Sequence, residues 1–559
     1  MDVPAGIAAR FGSLDVLVLV IYLAGTTYLG YLFRAKDATI KDFFLGGRKL
    51  PWPAVCGSII ATEVSAVTFI GAPAIVFAAT GNLTYLQLAI GTILARFIIG
   101  FWFVPAFYRN EIYSPYEYMG SRLGPGMERV TTGLFFLGAV LGQGVRVYAT
   151  ALVLEVVTGW GLERSIWMIG IFSIVWTYVG GISTVIWTDV VQFLLFLVGG
   201  IVALVWIFVH VPEGASGVFQ EAFEAGKLRL LNLSTDPTVT YTLWAGLFGT
   251  TFLTLASHGT DQMMAQRMFC CRDESAARKA IIVSSLSQGV TILMMLVGVG
   301  LWAFYRHFPL EPGGAAWVAE KADRIFPIFI VKELPPGVTG LIIAGIFAAA
   351  ISSLDSTLAA LSQTTVNTFY RGFIRPDASE RHYIKVSRGL ILFWGIALSG
   401  MAILCSRVRQ YPELIDQALA MTGYTYGALL GGLLLSLMPL RVDTRGMYFG
   451  VPLSILLVFG LSWHGPIARW FVLCSLVLLA GLAVWQLRRE WLPLATVMVF
   501  AVVVYVASWH VLGYDVEGMA RHIRVAWPWN YPLGCFVTLT CGILVGRRCS
   551  SHATATDRS

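Results

Sequence analysis

Fifteen apolar stretches, each long enough to cross a bilayer, leave this chain few alternatives. They run at about 13–33, 52–79, 84–108, 127–160, 165–183, 185–210, 239–263, 280–305, 338–370, 386–406, 412–438, 446–463, 468–487, 491–513 and 530–546. A helix needs about 20 apolar residues to span the hydrocarbon layer. The runs do not alternate with period two, which excludes membrane β-strands. Lipid offers no partner to an unpaired backbone group, so the runs are predicted to be helices. Composition agrees: only 13% of residues are charged, about half the share usual in a soluble domain. A soluble enzyme, a disordered scaffold and a nucleic-acid binder are excluded, because the excess positive charge lies in short loops. The eight cysteines are scattered without a C-x-x-C pair, so neither a disulfide framework nor a metal knuckle is expected.

Orientation follows from where lysine and arginine collect. With the N-terminus outside, the inner segments hold 24 of the 39 basic residues, among them Arg34 to Lys49, Arg272 to Lys279, Arg371 to Arg388 and Arg547 to Arg558. The expectation is an integral plasma (cytoplasmic) membrane protein, N-terminus outside and C-terminus inside. The longest outer loops, about 211–238 and 306–337, are read as caps or gates over a vestibule.

The informative residues are those that cost energy where they sit. A charge at mid-bilayer costs about 2.5–3.5 kcal/mol on insertion scales and marks a functional hypothesis. Glu63, Arg96, Arg146, Glu155, Asp189, His258, Asp261 and Asp355 fall inside or at the ends of apolar runs. The stretch Ala344–Ser362 combines small residues with Ser352, Ser353, Asp355 and Ser356. Small residues let helices approach closely, and Ala349, Ser352 and Ser353 share one helix face. Oxygen ligands with little bulk suit a hard cation. A second run, Gly57–Phe77, is interrupted by Thr62, Glu63, Ser65 and Thr68, and then by Gly71 and Pro73. Proline cannot donate its backbone bond and kinks helices. A third interruption, Ser257 to Asp261, falls five runs later. Two broken spans in corresponding halves point to the binding site of an inverted repeat. Asp189 is open to two readings, a helix-start acid favoured by the dipole or part of a cation path.

These stretches carry a resemblance. Asp42 to Arg48, Ala61 to Gly71, Tyr113 to Tyr118, Gly180-Gly181 with Trp187 to Gln192, Asp261-Gln262 with Gln266-Arg267, and Gly340 to Ser356 resemble the sodium:solute symporter family in order and content. That resemblance implies an all-α polytopic membrane protein with a LeuT-like core. Two inverted five-helix repeats would occupy 52–210 and 239–438. The first span and its inner loop would precede them (1–51), an outer loop would join them (211–238), and about four accessory spans (439–546) and a cytoplasmic tail (547–559) would follow. The hairpin at about 466–513 is an addition to the usual plan. The implied activity is sodium-coupled secondary active symport of a small organic solute by alternating access. Sodium is co-transported and no organic cofactor is implied.

Residue by residue, the family's sodium site maps onto the carbonyls of Ala61, Val64 and Ala349 and the hydroxyls of Ser352 and Ser353. A second cation or coupling site maps onto Asp189, Asp355 and Ser356. Substrate positions map onto Ser65, Thr68, Gln87, Arg146, Thr254, His258 and Gln288. Gly142 and Leu419 stand where sugar-binding relatives are polar, which argues against a neutral hexose. The expected solute is a sugar, a sugar acid such as sialic acid, or another organic anion. Arg146 suits a carboxylate through a bidentate pair; its alternative is an internal pair with Glu63 or Glu155. Proton-coupled or ion-leak transport, or a sensor of the same fold, is the alternative function. No nucleophile–base set or phosphate loop indicates an enzyme. The expected partners are the solute and the lipid bilayer, with no nucleic acid, and the chain is expected to work as a monomer.

Overall fold

In the computed structural model the described residues are 12–32, 46–109, 112, 114–177, 182–408, 410–411, 413–440, 442–463, 465–509, 512–514 and 520–546. The sequence motifs at Asp42 to Leu45, Tyr113 and Gly180-Gly181, and the tail 547–559, lie outside them. Every apolar run forms helix: α1 (Ser13–Leu32), the pair α2 (Trp52–Glu63) and α3 (Ala66–Phe77), and α4 (Leu83–Tyr108). Next come α5 (Pro125–Thr158), α6 (Leu162–Thr177), α7 (Ile182–His210), and the pair α8 (Thr251–Gly259) and α9 (Gln262–Phe269). Then follow α10 (Glu274–His307), α11 (Val338–Thr364), α12 (Glu380–Ser406) and α13 (Leu414–Leu437). The chain ends in α14 (Arg445–Ser462), α15 (Pro466–Leu487), α16 (Trp491–Trp509) and α17 (Asn530–Gly546).

Among the described residues, ten helices are long and apolar enough to cross a membrane, or eleven with α2 and α3 taken as one bent span. The other runs form helices that are shorter, broken or more polar. A short antiparallel hairpin, Leu512–Tyr514 with Ala520–His522, is the one pair of strands among the described residues.

α2 and α3 meet at 55°. α3 packs on α10, while α2 packs on α7. The far end of α3 is closed by an unusual cap. Lys227, from the loop after α7, donates to the carbonyls of Val76, Ala78 and Ala79 at 3.0, 2.6 and 3.3 Å. One ammonium thus satisfies carbonyls that a helix end leaves without partners. At the start of α11, Asp15 from α1 accepts from the amides of Gly337 and Gly340 at 2.7 and 2.8 Å. The first span is thereby tied into the bundle by a buried carboxylate at a helix N-terminus, where the dipole favours it.

The C-terminal helices are not all peripheral. α15 and α16 pack on each other, α16 also packs on α14, and their outer faces carry Ile467, Trp485 and Trp491 exposed, as a lipid-facing surface requires. α17 instead lies along α13, made possible by missing side chains. A Cβ on Gly427 would sit 2.8 Å from the Tyr531 carbonyl and 3.0 Å from the Cys535 amide. Backbone cannot retreat as a side-chain tip can, so Gly427→Val is expected to cost about 1–3 kcal/mol through overpacking. A lower melting temperature of the purified protein in detergent, with Gly133→Val unchanged as control (open space at Gly133), is the measurement.

Candidate functional site

The site begins where α2 stops. The Val64 amide donates to Ile60, closing the last turn of α2, and Val64 then turns to φ −77°, ψ 90°. Ser65 follows in extended conformation, with no side-chain cap, and α3 starts at Ala66. The carbonyls from Ala61 to Val64 therefore lie past the end of the ladder. The break is at Val64–Ser65 and not at Gly71–Pro73. Pro73 lies inside α3, and its carbonyl packs where Gly298 has no side chain, 2.6 Å from the position of a Cβ. The second break comes at Thr260–Asp261. Asp261 caps α9 by accepting from the Met263 amide at 2.8 Å and also accepts from the Tyr426 hydroxyl at 2.5 Å.

Between the two breaks lies a cavity of about 190 Å³. Of the substrate positions expected from sequence, Thr68, Arg146, Thr254, His258 and Gln288 line it, whereas Ser65 and Gln87 do not. Ser65 is buried at the break. The Gln87 side chain turns to the loop before α8: its amide donates to the Tyr241 carbonyl at 3.4 Å and its oxygen accepts from the Asn232 amide at 3.1 Å. Gln143, Tyr426 and Trp527 line the cavity without having been singled out. Gln143 stands three residues before Arg146, hence on the same face of α5, and Tyr426 follows a polar interruption in α13. Nothing local marks Trp527.

The internal pairing left open for Arg146 is not made. Glu63 is held by Arg96, which also donates to the Ser287 hydroxyl at 3.0 Å. Arg146 donates to the Thr62 carbonyl at 3.4 Å and makes no ion pair with a described carboxylate. The cavity wall therefore carries a half-buried guanidinium with donors to spare, since guanidinium carries five.

The second charged cluster lies beside α2. Asp189 pairs with Arg267 at 3.0 Å, both side chains being 1% exposed. Ser58 donates to the same carboxylate oxygen at 2.6 Å and accepts from Arg267 Nε at 2.8 Å. Arg267 also donates to the Ser356 hydroxyl at 3.3 Å. Asp189 and Ser356, two of the three residues expected to hold a second cation, thus both meet a guanidinium. Asp355 accepts from the Thr177 hydroxyl at 2.8 Å and makes no ion pair with a described cation. Of the sodium positions, Ser353 is buried on α11. The side chains of Ala349 and Ser352 lie outside the described residues, although the backbone there is helical. Arg267→Gln should cost about 3–5 kcal/mol, the penalty of stranding a buried charge. Asp189→Asn combined with Arg267→Gln should recover a large part of it. Thermal melting of the single and double variants decides; equal losses in both refute the pairing.

The sodium:solute symporter family model matches residues 43–453. Sodium-coupled monocarboxylate transporter 2 of Mus musculus is 28% identical over 455 residues, covering 80% of this chain and 72% of that protein. The sodium-dependent multivitamin transporter of Oryctolagus cuniculus is 28% identical over 463 residues (82% and 71%). The sodium/iodide cotransporter of Homo sapiens is 28% identical over 475 residues (83% and 72%). Among solved structures, a Na+-coupled sialic acid symporter in a substrate-bound outward-open state matches with a TM-score of 0.72 at 24% identity, over 95% of this chain and 97% of that one. The shared fold is the LeuT-like one. The chain belongs to the sodium:solute symporter family, and its function is sodium-coupled symport of a small solute across a membrane.

Proposed function

We propose that the solute is a small organic anion whose carboxylate is held by Arg146. The observation that carries this reading is the half-buried Arg146 guanidinium in the cavity wall, with no described carboxylate paired to it. A charge partly withdrawn from water and left unpaired is costly, and an anionic solute would offset that cost on binding. Thr68, Thr254, His258 and Gln288 would supply polar contacts, and Ser65 would act through the break. Gln87 belongs in this reading to the loop that covers the site. A cavity of about 190 Å³ favours a short carboxylate over a large sugar acid. The names of relatives, a monocarboxylate and a multivitamin transporter, support the same class.

Sodium would sit at the break, on the carbonyls of Ala61, Val64 and Ala349 and the hydroxyls of Ser352 and Ser353. The freed carbonyls at the end of α2 and the burial of Ser353 support this. A second cation or proton step would run through Asp355, with Asp189 and Ser356 joining once Arg267 releases them; Arg267 and the cation would then compete for one place. The two repeats would span 52–210 and 239–438, with 439–546 accessory. The N-terminus would face outward and the C-terminus inward in a plasma (cytoplasmic) membrane, and a monomer would suffice.

The test is uptake into proteoliposomes. An imposed sodium gradient should drive accumulation of propionate, competed by other short monocarboxylates and not by neutral hexoses. Arg146→Gln should abolish it while the protein stays folded. Hexose accumulation unaffected by Arg146→Gln would overturn the anion reading. Ser353→Ala should raise half-saturating sodium about tenfold, equivalent to about 1.4 kcal/mol. A flux stoichiometry identical in Asp355→Asn would remove the second coupling step.

A further inference from the structure

The family match ends at residue 453, yet one residue far beyond it reaches the solute cavity. Trp527, in the turn before α17, lines the cavity together with Leu419 of α13. It is 3% exposed. Its indole Nε1 donates to Asp416 Oδ1 at 2.8 Å, and the Tyr241 hydroxyl donates to the same oxygen at 2.7 Å. Asp416 stands in the first turn of α13. One carboxylate oxygen therefore fastens two separate segments, the loop before α8 and the turn before α17. Its charge is met by no described cation; both donors are neutral.

The rest of the turn is fitted to the core. The Ala526 amide donates to the Pro237 carbonyl at 2.9 Å. Gly249 is bare where Pro528 approaches: a Cβ there would lie 2.5 Å from the Pro528 Cβ. Below the indole, the Tyr531 hydroxyl meets the Thr422 hydroxyl at 2.9 Å. The rim of the cavity is thus built jointly by core helix α13 and the last accessory span.

We propose that Trp527 is an access-controlling lid on the solute cavity, latched on Asp416 and released together with Tyr241. The proposal rests on reading this cavity as the solute path, and in the orientation given above the lid is at the outer end. An indole covers a large apolar area with few torsions to freeze. Each hydrogen bond to the carboxylate is charge-assisted and stronger than one between neutral groups. A latch of two such bonds holds the lid, yet opens at a cost a transport cycle can meet.

The test uses the full chain carrying Cys474→Ser, which removes an exposed thiol, and Leu419→Cys, which places one on the cavity wall. A membrane-impermeant maleimide is added to intact cells, with the chain lacking Leu419→Cys as background. Trp527→Ala should speed labelling of that cysteine about tenfold, the change that loss of about 1.4 kcal/mol of closure produces. Trp527→Phe, which keeps bulk but lacks the indole N–H, should fall between the two and serves alone if the alanine variant does not fold. Equal labelling rates with Trp527 and with the folded variants would overturn the lid, as would labelling confined to inside-out vesicles. Sodium-driven propionate uptake by the unaltered chain is measured alongside. Its absence would count against the solute reading, while the labelling ratio still reports on the lid.

Discussion

A carbonyl that leaves the helical ladder inside a membrane must find another partner, because no water is there to take its place. The architecture around the cavity follows from that constraint. α2 ends at Glu63 in mid-bundle, and the carbonyls past its last closed turn face neighbouring helices instead of lipid. One of them, Thr62, receives Arg146. In the function proposed above, the remainder would be ligands for a small cation. The second break is stabilised differently: Asp261 caps α9 and is itself held by Tyr426 of α13. The first break is thus tied to α5 and the second to α13, two helices that pack on each other and both line the cavity.

Around the end of α2, charge is neutralised in pairs. Glu63 with Arg96 and Asp189 with Arg267 are complete. They hold the end of α2 from two sides, since Ser58 of α2 bridges Asp189 and Arg267. Arg146, Asp261, Asp355 and Asp416 instead have neutral hydrogen-bond partners among the described residues. In the function proposed above, a transported ion or solute would offset the cost at Arg146 and Asp355. Arg267 adds a further possibility for coupling, because it contacts Asp189 and Ser356 together.

Much of this was legible in the residues. The apolar runs foretold the helices one for one, and polar residues at 62–68 and 257–261 marked both breaks. Five of the seven substrate positions line the cavity. What was not legible has a common cause. Pro73 is the strongest local helix breaker in its run, yet the chain breaks nine residues earlier. Polar Thr62 and Ser65 and the Glu63–Arg96 pair, made to another helix, stabilise an opening that propensity alone does not ask for. Gln87 carries a polar side chain in a span, but the loop residues it bonds, Asn232 and Tyr241, are more than a hundred positions away.

The sequence by itself determined the helical class, the family, the two interrupted spans and the short list of intramembrane charges. Those depend on composition and on spacing along one helix, which are local quantities. Only the tertiary structure decided which charge pairs with which, that Arg146 is left without a described carboxylate, and that Trp527, in the turn before α17, lines the cavity. Pairing is settled by distances of a few ångströms between helices remote in sequence, and no pattern within a single helix records them.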